Sequence, residues 1–525
     1  MAGNGSNPKA FLGFDFSTQQ LKVVAVDDQL REFYSNHVKF DDDLSHYGTT
    51  NGAHISENGL TVTAPTRMWI EALDLLLNKM KTDGFQFENV AGISGCGQQH
   101  GSVYWCEGGE EILKNLKPNE KLCNQLKSCF SIDQSPIWMD SSTTKQCKKL
   151  EEAIGGPMKL AEITGSRAYE RFTGNQIAKI SEEKSKAFTQ TERISLVSSF
   201  AASLFLGQYA PIDESDGSGM NLYDFRSRTW NKDCLRACHS DISCLEAKLG
   251  QVVPSNSIIG KISPYMQKTY NFSQDCSIIA FTGDNPASLA GMKQTPGDIC
   301  ISLGTSDTLF VWTYEPKAVE HGHVFINPCN TKNYMALLCY KNGSLIRESV
   351  KSRVCENNEN WIEFNKHLDN SPSGNNGFMG FYYNSQEITP ALKPNTYRFN
   401  GENERIDAFD RKDIEVRAVI EGQLIAKRVH AENIGLKWPL RRIIVTGKQT
   451  LSMAPVFRLH EPNSACLGGA YRAKHGLLNN KSFEEIISVA ENDFELVSEP
   501  DGSTFEVYRQ MAKRYRKLEE IMLSN

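Results

Sequence analysis

Two small polar turns carry the residues of this chain best suited to gripping a polyphosphate. In the first, apolar residues 11–16 enclose Asp15 and give way to Ser17, Thr18, Gln19 and Gln20, after which residues 21–26 are largely apolar again. In the second, apolar residues 299–303 are followed by Gly304, Thr305, Ser306 and Asp307, then by 308–312. Tight turns of this kind point backbone N–H groups outward, and short hydroxyls add donors without blocking a bulky anion. Two ordinary β-hairpins account for the same pattern. A carboxylate at Asp15 suits Mg²⁺ held through water, since that ion gives up its hydration shell reluctantly; from this hairpin alone a turn-forming aspartate is the favoured reading. Asp284 is placed to act as a base. It follows apolar residues 277–281 and precedes Pro286, and proline is well suited to a first helical turn. Aspartate is also a favoured helix N-cap, and the two roles can coexist.

The elements that must carry these residues are those of an α/β protein. Residues 11–16, 21–26 and 31–40 form a meander of strands with turns at 17–20 and 27–29. Met68, Trp69, Ala72, Leu73, Leu76 and Met80 fall on one helical stripe within 66–80, and 90–94 is a short buried strand ending at Gly95. Strands alternating with helices point to an α/β fold. Thr295-Pro296-Gly297-Asp298 is a turn-rich boundary, dividing the chain into a domain at 1–294 and another at 295–525, with a cleft between them. Residues 369–377 read as a polar surface loop. Near the C-terminus, Tyr508, Met511, Tyr515, Leu518 and Met522 share one helical face, and Arg509, Lys513, Arg514, Arg516 and Lys517 form its solvated side.

Bulk properties narrow the function classes. At 525 residues the chain exceeds what one hydrophobic core supports. Its 40% hydrophobic and 23% charged residues are ordinary for a globular protein. A net charge of -6 argues against a nucleic-acid surface, which needs a clustered excess of Lys and Arg. No apolar stretch is long enough to span a membrane, and residues 1–10 lack a signal-peptide core. The 14 cysteines form no CxxC pair and have no His partners at zinc-ligand spacing, so reduced thiols in the cytoplasm are expected.

Several segments, in order, resemble one family. GFDFSTQQLKVV at 13–24 and SLGTSDTLF at 302–310 resemble the two phosphate motifs of the superfamily of sugar kinases, hexokinase, actin and chaperone ATPases. FTGDNPASLAGM at 281–292 resembles the catalytic segment of the carbohydrate kinases that include glycerol, gluconate, fucose and xylulose kinases. SGCGQQHG at 94–101 is similar to their substrate strand, and GSRAYERFTGNQIAKI at 165–180 to the substrate loop of the animal xylulose kinases. IEGQLIAKRVHAE at 420–432 and NSACLGGAYRAKHGL at 463–477 extend the resemblance over nearly the whole chain. It implies two actin/hexokinase-like (ribonuclease H-like) domains flanking a cleft, the first for substrate and phosphate, the second for nucleotide. It implies transfer of the ATP γ-phosphoryl group to a small-molecule sugar, D-xylulose before other ketoses or polyols. Asp284 would be the base; His100, Arg171, Asp284 and Asn285 would bind the sugar. Ser17, Thr18, Gln19, Gly304, Thr305 and Ser306 would hold phosphate, Asp15 would hold Mg²⁺ through water, and Trp361 and Gly447 would contact adenosine. Without that context, a histidine placed like His100 is more often structural, and an arginine like Arg171 more often a surface residue.

One segment departs from the family. After Thr446-Gly447 the relatives continue with a second glycine and an Ala-Ser-x-Asn turn, then a helix and a strand. Here the chain reads Lys448-Gln449-Thr450 and reaches Asn463 early, with Pro455 and Pro462 in between. A full helix plus strand is hard to fit, part of the second domain's sheet would be uncovered, and close backbone approach to a nucleotide is lost. Weakened ATP binding is the expected outcome, and a sugar-binding regulator built on an inactive kinase fold is the alternative function. Calorimetric titration with ATP tests the first, and ADP release on adding D-xylulose, with Asp284→Ala as control, tests the second.

Overall fold

The computed structural model describes residues 9–356, 361–446, 455–459 and 463–524. The chain divides into two compact units. The first comprises Met1–Lys293, Val324–Tyr334 and Glu461–Asn492; the second comprises Gln294–His323, Met335–His460 and Asp493–Asn525. The first passage between units falls between Lys293 and Gln294, and the chain later returns to the first unit twice.

In the first unit, β1 (Ala10–Phe16), β2 (Gln20–Val26) and β3 (Glu32–Lys39) form the meander, joined by β4 (Val90–Gly97), β5 (Ile258–Lys261) and β6 (Ser277–Ile279). Their order across the sheet is β5-β6-β4-β1-β2-β3. Every residue of β1 is buried, because both faces of the sheet are covered, so the strand reads as a continuous apolar run. β3 alternates instead, as befits an edge strand with one wet face. β4 runs parallel to β1 and is reached through the Thr66–Thr82 helix, whose stripe of Met68, Trp69, Ala72, Leu73, Leu76 and Met80 is fully buried. The short strand Thr282–Gly283 lies on the other side of β4, also parallel, pairing Thr282 with Cys96 and Gly283 with Gly97. Asp15 pairs with the same Cys96 from the β1 side. Three parallel strands therefore end side by side, and the strand spacing puts Asp15 and the start of the Asp284 segment roughly 10 Å apart.

The Ser464–Leu477 helix packs on β1, β4 and the Asp284–Gly291 helix, so the late segment Glu461–Asn492 completes this unit. Glycine makes that approach possible. A Cβ on Gly468 would stand 1.8 Å from the Ala287 carbonyl oxygen, and one on Gly13 would stand 1.9 Å from that of Cys466. Gly468→Ala should therefore lower the melting temperature, although alanine is the better helix former by about 1 kcal/mol. Backbone atoms would have to part, and overpacking of this kind costs about 1–3 kcal/mol. Differential scanning calorimetry reads the sign.

The second unit holds β7 (Asp298–Leu303), β8 (Asp307–Thr313), β9 (Arg442–Thr446), β10 (Val456–Leu459) and β11 (Phe494–Ser498), in the order β8-β7-β9-β10-β11. β7, β9 and β10 are parallel. β10 supplies a strand within the stretch where helix and strand together were not expected; residues 448–454 and 460–462 lie outside the described residues. Only residues 447–455 link β9 to β10, fewer than the dozen or so that a parallel crossover generally takes. Ile299 and Ile301 of β7 and Ile443 of β9 border a cavity of about 250 Å³, walled also by Leu424, Ile425 and Trp438. The C-terminal helix, Phe505–Leu523, buries Met511, Tyr515, Leu518 and Met522 and turns its basic residues outward; among these, Arg514 donates to the carbonyls of Gly377 and Asn400.

Candidate active site

The parallel ends of β1, β4 and Thr282–Gly283 deliver the site of the first unit, in keeping with the tendency of α/β sheets to bind ligands beyond the carboxyl ends of their strands. From β1 comes Asp15, 4% exposed. Its Oδ2 accepts a hydrogen bond from Ser17 Oγ at 2.6 Å, and its Oδ1 accepts one from Cys96 Sγ at 3.4 Å. Burial pushes its carboxyl above the usual range, opposed by Ser17, Lys22 and Cys96. The turn after β1 is closed by Ser17 N–H on the Gln20 carbonyl and leaves Gln19 exposed. Thr18 Oγ1 accepts from Trp138 Nε1 at 2.8 Å and faces Gln98 Oε1 at 3.4 Å. Trp138 thereby braces the turn after β1. Asp140, two residues on, accepts from Val62 N–H, Ser142 and Gln176, and serves the fold.

From the end of β4 come Gln98, Gln99 and His100, all buried. His100 has φ +70°, a left-handed conformation uncommon outside glycine. Its ring stacks on Phe172 with centroids 4.2 Å apart. Nδ1 lies 2.9 Å from the Gly219 carbonyl oxygen, which can only accept. Burial, helped by the Arg171 charge, pushes its pKa down to about 3. The ring is thus neutral, protonated on Nδ1, with Nε2 left as an acceptor suited to a hydroxyl. The Arg171 guanidinium lies 4.7 Å from the ring centre of Tyr169.

Asp284 is the first residue of the Asp284–Gly291 helix, with Gly283 at the N-cap, so the helix begins before Pro286 and Asp284 does not cap it. Its Oδ1 accepts from Asn285 N–H at 2.8 Å, Asn285 Nδ2 at 3.1 Å and Gln99 N–H at 3.3 Å. Burial, with the negative charge of Asp15, raises its pKa to about 7 against those donors. A carboxylate poised near neutrality is what general-base chemistry calls for. Asp15, Ser17, Thr18, Gln19, His100, Arg171, Asp284 and Asn285 all belong to this unit.

Gly304, Thr305, Ser306 and Trp361 belong to the second unit. Leu303 pairs with Asp307, so Gly304, Thr305 and Ser306 form the turn of the β7–β8 hairpin. The turn sits at the N-terminus of the Ser344–Val354 helix, whose Ser344 N–H donates to the Gly304 carbonyl. A Cβ on Gly343 would fall 2.7 Å from the Thr305 carbonyl oxygen. Backbone N–H groups at a helix start beside exposed hydroxyls form a natural anion cradle. Below the turn, Asp307 is fully buried between Arg347 and Lys427. Trp361 precedes the Ile362–Asp369 helix, and Lys351 Nζ lies 4.7 Å from its ring centre. Gly447 lies outside the described residues.

One carboxylate with a hydroxyl beside it suits Mg²⁺, which takes few protein ligands and shares phosphate oxygens. Among the described residues no cluster of three or more His, Cys, Asp or Glu side chains forms a metal cage. The donor set fits a metal that arrives with nucleotide.

The comparisons with known proteins agree. Residues 128–291 match the N-terminal domain of the FGGY family of carbohydrate kinases. The chain is 50% identical to the xylulose kinase of Rattus norvegicus, over 98% of this chain and 97% of that one. It is 45% identical to xylulose kinase 2 of Arabidopsis thaliana, over 93% and 91%. Its fold is that of the two-domain sugar kinases: a ligand-bound xylulose kinase from Lactobacillus acidophilus superimposes with a TM-score of 0.76 at 16% identity, covering 98% of this chain and 99% of the other. On these grounds the chain is a member of the FGGY family of carbohydrate kinases.

Proposed function

We propose that this protein transfers the γ-phosphoryl group of ATP to a hydroxyl of D-xylulose, giving D-xylulose 5-phosphate and ADP. The observation that carries the reading is the Asp284 carboxyl, raised to about 7 and held by three donors on one oxygen. The choice of sugar rests on relatives named xylulose kinases that are half identical over nearly the full chain.

In this reading the sugar's hydroxyls meet complementary groups. Neutral His100 accepts through Nε2, Arg171 donates, and Asn285 pairs beside Asp284. Such a site rejects competitors that leave its buried polar groups unpaired. Asp284 takes the proton of the attacking hydroxyl. Ser17, Thr18 and Gln19 line the phosphate turn of the first unit, and Gly304, Thr305 and Ser306 that of the second. Mg²⁺ held through water at Asp15 would offset the charge of the phosphates. The 14 cysteines, free of disulfides among the described residues, fit a reducing cytoplasm.

The test is ADP release on adding D-xylulose and Mg²⁺·ATP, with a panel of ketoses and polyols alongside. Preference for another sugar would overturn the choice of substrate; no ADP with any of them would overturn the kinase reading. Because the base must be ionised, kcat/KM for the sugar should rise about tenfold per pH unit below about pH 7 and level off above it. His100, neutral throughout that range, should add no limb of its own.

A further inference from the structure

Residues 213–216, Asp-Glu-Ser-Asp, are wholly buried although three of the four are acidic. The proposed chemistry leaves Asp216 without a task. Its surroundings supply one.

Gln99 bridges to Asp284 in two ways: its N–H donates to Asp284 Oδ1, and its Oε1 accepts from Asn285 Nδ2 at 2.9 Å. The amide nitrogen of Gln99 must then point the other way. There it is buried, as is Asp216 Oδ1, and neither atom has a hydrogen-bond partner among the described residues. Both side chains border the space left by the missing side chain of Gly283. A Cβ there would fall 2.3 Å from Gln99 Cγ and 2.7 Å from Asp216 Oδ1. The Gln99 side chain draws the Asp216 carboxyl down, against the larger effect of burial and the charges of Asp213 and Asp284.

We propose that Asp216 is a positioning residue for Asp284, fixing the Gln99 amide in the orientation that holds Asp284 Oδ1 and leaves Oδ2 for the sugar. A flipped amide would face oxygen to oxygen at Asp216 and nitrogen to nitrogen at Asn285, losing the Asn285 bond. Asp216 is itself anchored. Its Oδ2 accepts from Ser198 Oγ at 2.5 Å, and its N–H donates to Asp213 Oδ1, which also accepts from Thr282 Oγ1. Asp213 Oδ2 lies 3.7 Å from the buried Arg472. Burial and the neighbouring carboxylates raise the Asp216 pKa to about 8, and an asparagine can replace the acid shape for shape with its oxygen facing the Gln99 amide.

This inference rests on Asp284 being the base but not on which sugar is phosphorylated. The test is a double-mutant cycle of Asp216→Ala and Gln99→Met, with Asp216→Asn alongside, assayed on whichever sugar the parent turns over. A loosened base costs roughly 10²-fold when misplaced by an ångström. Asp216→Ala and Gln99→Met should each lower kcat on that order, leave KM for the sugar within about threefold, and move the acid limb of the pH profile upward. The double variant should be no worse than either single one, since both cut one link. Asp216→Asn should restore most of the rate. Additive losses, an unchanged pH profile, or an asparagine variant as poor as the alanine one would each overturn the proposal. If Asp216→Ala fails to fold, Gln99→Met and Asp216→Asn carry the test. If the parent turns over no sugar, the Asp284 carboxyl titration followed by NMR should still shift upward in Gln99→Met; no shift would overturn the proposal.

Discussion

Asp284→Asn is expected to lower kcat by about 10²- to 10⁴-fold, the usual worth of a positioned general base. The substitution keeps the shape of the side chain and leaves an oxygen for the donors at Gln99 and Asn285. Sugar affinity, measured by calorimetry without nucleotide, should therefore change little. What disappears is the group that titrates near 7, so the residual rate should lose its acid limb. A variant that kept the parent rate, or kept the same limb, would remove Asp284 from the chemistry. The loss should not come from stability. Burial raises the Asp284 carboxyl above its unfolded range, so the charged form is a cost to the folded state above that range, and neutral asparagine removes the cost.

The second large effect lies in the other unit. Asp307→Ala should destabilise it by about 3–5 kcal/mol, because removing one member of a buried ionic cluster strands the others. Arg347 reaches Asp307 with two nitrogens, at 3.0 and 3.2 Å, and Lys427 lies 2.8 Å away; both cations are buried. Burial alone would raise the Asp307 carboxyl, but Lys427 and Arg347 outweigh it and hold it below the usual range. That contribution is complete above the unfolded carboxylate pKa of about 3.9 and fades as pH falls through the lower folded value. The gap between parent and variant should thus be widest near neutrality and close only in acid. Hydrogen exchange in residues 298–313 should quicken in the variant. Nucleotide affinity should fall with it, since Asp307 ends the turn of Gly304, Thr305 and Ser306. Unchanged exchange at pH 7 would show that the cluster contributes nothing net.

Much of this was legible in the sequence, and the reasons it stopped are physical. The two hairpins announce themselves because both strands of each are apolar and their turns are not. β1 and β7 lie within a residue of the positions that pattern gives. The stripe of the Thr66–Thr82 helix was equally plain. The helix at Asp284 begins two residues before Pro286, since Gly283 supplies the N-cap that Asp284 was free to be. Residues 369–377 look like a surface loop by composition, yet Ser371 and Asn375 are buried, Asn375 donating to the Ile414 carbonyl. The acidic stretch 213–216 was silent because the groups that make its burial tolerable, Ser198 and Arg472, lie far off in the chain. Trp138 donates to Thr18, a contact no local pattern encodes.

The Ser464–Leu477 helix gives the protein a long wait at birth. Its seat on β1 and β4, and against the helix that starts at Asp284, exists once the ribosome has passed residue 293, but the piece that fills it follows some 170 residues later. At about 5–20 residues per second, that leaves a bare apolar floor for roughly 10–30 s in every nascent chain. Chaperone dependence during translation, and aggregation of chains cut short before residue 464, are the expected price of threading one fold through the other.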